Sequence, residues 1–240
     1  MTRRTRIRTD RPPRLSAPSL LQLMRLASPS LPVGGFSYSE GMESAVEQGR
    51  VGNEADARAW LLDQLQLVLA RSELPLAARA WRAWLRGDLD TVRELNTWHT
   101  LTRDGAESAQ QAAQMGRSLV EWLRIAHPGD ERVAQLAALR PAPCWPVAFA
   151  LATQRCGAPC RDSLLALALG WAENMTQAAI KSVPLGQSAA QRLLAALSEA
   201  IPAVVDQALA LPDSQRQAFA PMLAVLSAQH ETQYSRLFRS

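Results

Sequence analysis

Lysine is almost missing from this chain. Of its 26 basic residues only Lys181 is not an arginine. Cysteine is scarce as well, and an odd count of three, Cys144, Cys156 and Cys160, argues against a disulfide framework. Aromatic residues make up 5% and β-branched residues are few, which disfavours a sheet protein. Long apolar runs are absent: WPVAFALA and LLALALGWA are the longest, well short of the roughly 20 residues of a membrane span. The arginine pair near the N-terminus has no apolar run behind it, so it does not read as a twin-arginine export signal.

Several chemical signatures are lacking too. The Gly34–Gly35 pair is not followed by a Gly-Lys-Ser/Thr step and no strand precedes it, so it is not a phosphate loop. His99, His127 and His230 are scattered, and there is no His-Glu-x-x-His or Cys-x-x-Cys; Gly157 and Pro159 make a turn of the stretch between Cys156 and Cys160. The cysteines read as buried inert thiols. No Gly-x-Ser-x-Gly, Asp-rich motif or acid–base pair offers a catalytic centre. These absences leave a chain without catalytic residues, without a metal site of its own and without a tightly bound cofactor.

What is present is helix. Hydrophobic residues are 48% and charged residues 20%, enough for a core and too apolar for global disorder. Arg3, Arg4, Arg6, Arg8, Arg11 and Arg14 face one acid, Asp10, in the first fourteen residues, and the remainder is close to neutral. The basic balance therefore belongs to a flexible arm, residues 1–14, and a body that tracks nucleic acid is disfavoured. Residues 15–240 read as one compact all-α domain of roughly ten helices with short joints. Asn53 is a plausible N-cap with Glu54 and Asp56 in the first turn, and Asp88 or Asp90 caps a later helix. Pro75, Pro184 and Pro202 read as joints between helices. RDSLLALALGWAENMTQAAIKS, apolar nearly all round at its start, reads as the central helix.

Three stretches stand apart. In SPSLPVGGFSYSEGME, Pro29 and Pro32 hold the backbone extended, and SYSE reads as a capping box with Ser37 as N-cap and Glu40 at N3, starting a helix from about Tyr38 to Gln48. That leaves Tyr38, which reads as exposed, and Glu43 without a structural explanation. Lys181 sits near the end of the apolar helix; it is either a favourable cation at a helix C-terminus or a place where a compact ammonium is needed. The terminal HETQYSRLFRS carries Tyr234, Arg236, Leu237 and Phe238, which either dock on the domain or anchor a partner.

LASPSLPVGGFSYSEGMESAVEQG, AIKSVPLGQSAAQRLL and HETQYSRLFRS, in that order, closely resemble the UreF family of urease accessory proteins. The resemblance runs from about Leu20 to Ser240 and excludes the arginine arm. It implies an all-α homodimer without catalytic activity of its own, and the lack of an export signal or membrane-length run gives the expectation of a cytoplasmic protein. Such a protein joins UreD (also called UreH) and the GTPase UreG and delivers nickel, the cargo of the complex, to the urease apoprotein. Carried onto this sequence, Tyr38, Glu40, Glu43 and Lys181 become candidates for the GTPase-facing surface. Tyr234, Arg236, Leu237 and Phe238 become candidates for contact with UreD. One departure stands out: Ala106 and Ala109 occupy positions where the family is expected to carry charges.

Two other classes compete. An all-α enzyme would need an acid–base or metal set that the sequence does not offer. An all-α scaffold or nucleic-acid-binding protein would act through the arginine arm, with the near-neutral body in an accessory role at most.

Overall fold

Asn53 shows how local chemistry starts a helix here. In the computed structural model, which describes residues 15–239, its side chain accepts the Asp56 N–H at 3.1 Å. The Asp56 carboxylate reaches back to the Gly52 N–H and to the Asn53 amide, at 3.1 and 2.8 Å. Asn53→Ala is expected to cost about 1 kcal/mol, a fall in Tm of roughly 2–4 °C, measurable by thermal unfolding.

The elements are α1 (Ala17–Ala27), α2 (Met42–Glu47), α3 (Glu54–Gln64), α4 (Leu74–Arg86), α5 (Leu89–Leu101), α6 (Ala106–Ala126), α7 (Glu131–Ala137), α8 (Trp145–Arg155), α9 (Cys160–Ser182), α10 (Gln187–Ala210) and α11 (Pro221–Glu231). A π-helical turn sequence, Leu65–Glu73, joins α3 to α4 without a break, which leaves ten separate α-helical segments among the described residues. The expected all-α domain is what forms. Asp88 is the cap of α5, accepting the Thr91 N–H at 3.0 Å. The arginine arm expected over residues 1–14 lies outside the described residues.

α9 is the centre, as its apolar surface predicts. It packs against α10 and α1 most extensively, and against α4, α2 and α8. Leu164, Leu167, Ala168, Ala172, Met175 and Ala179 are all buried along it. The three cysteines are free thiols, Cys144 and Cys156 buried and Cys160 partly so. Burial pushes the Cys156 and Cys160 thiols up from their ordinary pKa.

One expected joint does not exist, and another is not a break. Pro75 stands in the first turn of α4, as expected of a join, but the π-helical segment Leu65–Glu73 runs into α4 without interruption. The Leu74 N–H bonds back to Leu69 O, and the carbonyl four residues before Pro75, that of Arg71, takes the Gln217 N–H at 3.0 Å instead. Pro202 lies inside α10, which runs 24 residues. Leu193, Leu197, Ile201, Val204, Val205 and Ala208 form one buried stripe across the proline, and burying both halves outweighs the lost hydrogen bond. α10 is consequently long and apolar enough, by length and composition, to cross a membrane, which the sequence read as two pieces did not anticipate. Its stripe packs on α9, α3 and α4.

Candidate partner-binding site

The loop after α1 does not form a capping box. Gly34 takes a left-handed φ of 79°, a single 3₁₀ turn covers Gly35–Ser37, and Tyr38 is extended. Glu40 (φ 50°) and Gly41 (φ 80°) are both left-handed, so no helix can pass through them and α2 begins only at Met42. Gly41 admits no larger residue easily, since a Cβ there would also lie 2.8 Å from Leu223 Cδ1. A Cβ on Gly35 would meet the Asn174 amide at 2.6 Å. The loop is thereby folded tightly onto α9 and α11. Tyr38, expected outside, is turned inward and is 1% exposed, with its hydroxyl donating to Gln114 Oε1 at 2.6 Å.

Glu43, the unexplained acid, is the anchor of a clamp on the C-terminal segment. It lies on α2 between Met42 and Ala45, and only 7% of it is exposed. Its Oε1 accepts the Leu237 N–H at 2.7 Å, and its Oε2 accepts the Phe238 N–H at 3.0 Å. The same Oε2 lies 3.0 Å from His230 Nε2. The other ring nitrogen of His230, Nδ1, lies 2.8 Å from Glu107 Oε2 on α6, and Arg236 donates to Glu107 Oε1 at 2.8 Å. The Arg239 N–H then donates to Ser37 O at 2.8 Å, tying the tail to the loop. Phe238 is buried, and Lys181 Nζ stands 5.7 Å from its ring centroid, a cation–π contact in the last turn of α9.

Glu40 points the other way, into a cavity of about 160 Å³ beneath the loop. It accepts from Gln111 Nε2 at 2.8 Å and Trp171 Nε1 at 2.9 Å. Burial raises its pKa in spite of those two donors. Across the same cavity Glu73 Oε1 bonds His99 Nε2 at 2.9 Å and Arg103 Nη1 at 2.8 Å. Burial opposes charge on both Glu73 and His99, but their mutual attraction, with Arg103 beside Glu73, outweighs it. Glu73 is held down to about 2 and His99 is lifted to about 9. Met115, Phe149, Leu167 and Leu223 supply apolar wall. Among the described residues no group of three or more His, Cys, Asp or Glu is placed to hold a metal ion.

The eight residues singled out from the sequence thus fall in one region of the molecule, not on two faces. Seven of them border the loop, α2, the end of α9 and the docked tail. Tyr234 alone makes no such contact; it is fully exposed, and Leu237 is 72% exposed. Beside them α11 buries only Leu226 and His230 and leaves Met222 and Val225 outward. The side chains of Tyr38 and Glu43 are not presented to solvent, a correction to the sequence reading: the glycine-bearing loop folds Tyr38 in, and the tail covers Glu43. Lys181 and Arg236 remain exposed. Sequence reading missed Glu107, His230, Gln114 and the Glu73–His99–Arg103 triad. The one available hint was that His230 opens the terminal motif itself. Ala106, where a charge was expected, is exposed at the start of α6, and its N–H donates to Glu231 Oε1 at 2.9 Å.

Residues 51–198 match the UreF family profile. The chain is 64% identical to the urease accessory protein UreF of Methylibium petroleiphilum over 93% of this chain and 95% of that protein. It is 59% identical to the UreF of a Polaromonas species, over 94% and 97%. It is 45% identical to that of Cupriavidus necator, over 92% and 97%.

Proposed function

Because the chain belongs to the UreF family of urease accessory proteins, we propose that it is a non-catalytic assembly factor bridging the GTPase UreG and UreD and gating GTP-dependent nickel insertion into apo-urease. Nickel is cargo in this reading, no cofactor is tightly held, and the protein works as a cytoplasmic homodimer.

The observation that carries the proposal is the clamp. It holds Tyr234 and Leu237 outward at the tail while placing Lys181 against Phe238 of the same tail. Large exposed aromatic and aliphatic groups on a segment fixed at its other end suit the anchors of a protein interface. UreD binds the exposed side of the tail, and UreG binds over the end of α9 at Lys181. Glu40 and Glu43 act beneath that surface: one braces the loop, the other braces the tail. Tyr38 braces the loop in the same way through Gln114.

Co-purification separates the roles. Tyr234→Ala with Leu237→Ala changes only exposed side chains and is expected to weaken UreD capture by about 2 kcal/mol or more, roughly thirtyfold. Lys181→Ala is expected to keep UreD and to lower UreG-dependent urease activation. Undiminished UreD capture by the double variant would remove the tail from the interface, and full urease activation with Lys181→Ala would remove Lys181 from it.

A further inference from the structure

Arginine gathers in a groove on α4 that shares no lining residue with the clamp. Arg79, Arg82 and Arg86 are spaced i, i+3 and i+7, which at about 100° per residue sets them within roughly 60° of one another on one face. With Thr91 of α5 and the segment Leu211–Asp213 they line a groove of about 350 Å³. The acids nearby do not neutralise it. Asp213 pairs with Arg79 at 2.9 Å. Asp88 is committed to the Thr91 N–H and hydroxyl at 3.0 and 2.7 Å, and stands 3.8 Å from Arg86. Arg82 has no ion pair with any described residue. Arg216, three residues beyond Asp213, stacks 4.3 Å above Trp98 with Arg79 nearby, and Glu94 is the remaining acid near it. Three guanidinium groups and one carboxylate, Asp213, therefore line the groove, with Arg216 beside it and outside that lining.

Guanidinium forks bind tetrahedral oxyanions through paired N–H donors, and several forks on one groove suit an anion with more acceptors than one carboxylate. We infer that this groove binds a phosphate dianion, either free or as the terminal group of a small phosphorylated molecule. The site is separate from the partner-binding surface and does not rest on the reading given for it.

The test is titration of the full-length protein at low ionic strength, where exposed charges are least screened, with inorganic phosphate, pyrophosphate and a nucleoside monophosphate. The amide resonances of Thr91 and Asp213 report on the groove. The expected result is saturable shifts at both amides with at least one of the three. Arg82→Gln with Arg86→Gln should then weaken binding by roughly tenfold or more. Arg124→Gln, an equal loss of charge per residue on α6, should leave it within twofold. Binding of phosphate as tight as that of the two larger ligands identifies the free ion; tighter binding of either larger ligand identifies a terminal phosphate. Absence of saturation with all three overturns the inference. So does unchanged affinity in the double variant, or an equal loss with Arg124→Gln, which would reduce the effect to net charge.

Discussion

Replacing Glu43 by alanine is expected to free the C-terminal segment and to cost about 3 kcal/mol. The carboxylate accepts two backbone N–H groups and faces a fully buried imidazole, so truncation leaves His230 with one carboxylate partner in place of two. A stranded buried donor loses more than its bond was worth. The Leu237 amide can hydrate in part because its residue is exposed, which keeps the cost at the low end of the range for broken buried pairs. Native-state amide exchange gives the direct reading: the Phe238 N–H should exchange roughly a hundredfold faster, the rate ratio that corresponds to about 3 kcal/mol. Glu43→Gln keeps an acceptor without the charge and should fall between. Equal exchange in wild type and Glu43→Ala would show that the tail is held by its other contacts, Phe238 packing, Arg236–Glu107 and Arg239–Ser37, and not by Glu43.

The second large effect is the pH dependence contributed by Glu73 and His99. Glu73, depressed from 4.5 to about 2, adds stability that is present above pH 4.5 and is lost as pH falls toward 2. His99, raised from 6.5 to about 9, adds stability that is present below pH 6.5 and is lost as pH rises toward 9. These are two sides of one ion pair and count once, on the order of 3 kcal/mol. Arg103, Glu40 and the Cys144 thiol also face the pair and modulate it. The stability difference between wild type and Glu73→Gln, measured by urea unfolding, should be largest between pH 4.5 and 6.5. It should shrink on both flanks. A difference that stays constant from pH 5 to 9 would rule out a charged His99 as the source.

Much of the fold could be read from spacing and caps, because those signals are local. Asn53 and Asp88 start helices with their own side chains within three residues, and the apolar run of α9 marks it as central. The joins failed where a distant group changed the local rule. Pro75 reads as a break until Gln217 is seen to take the carbonyl that the proline leaves free. SYSE reads as a capping box until Gly41 is seen in a left-handed conformation, with Glu40 drawn away to Gln111 and Trp171. The site was half legible for the same reason. Residue types marked Glu43, Lys181 and the tail as unusual, but Glu43 meets His230 and Phe238 across nearly two hundred residues, and no periodicity encodes such a pairing. Tyr38 was misplaced because an aromatic beside glycines looks like a loop tip; here the glycines let the loop collapse onto α9.

The tail is fastened at Leu237, Phe238 and Arg239 through main-chain N–H groups, which every amino acid but proline carries. Spelling at those three positions can therefore drift freely as far as these bonds are concerned, whereas the count of residues between His230 and Leu237 cannot. One residue inserted or deleted there would bring the wrong amides to the waiting carboxylate.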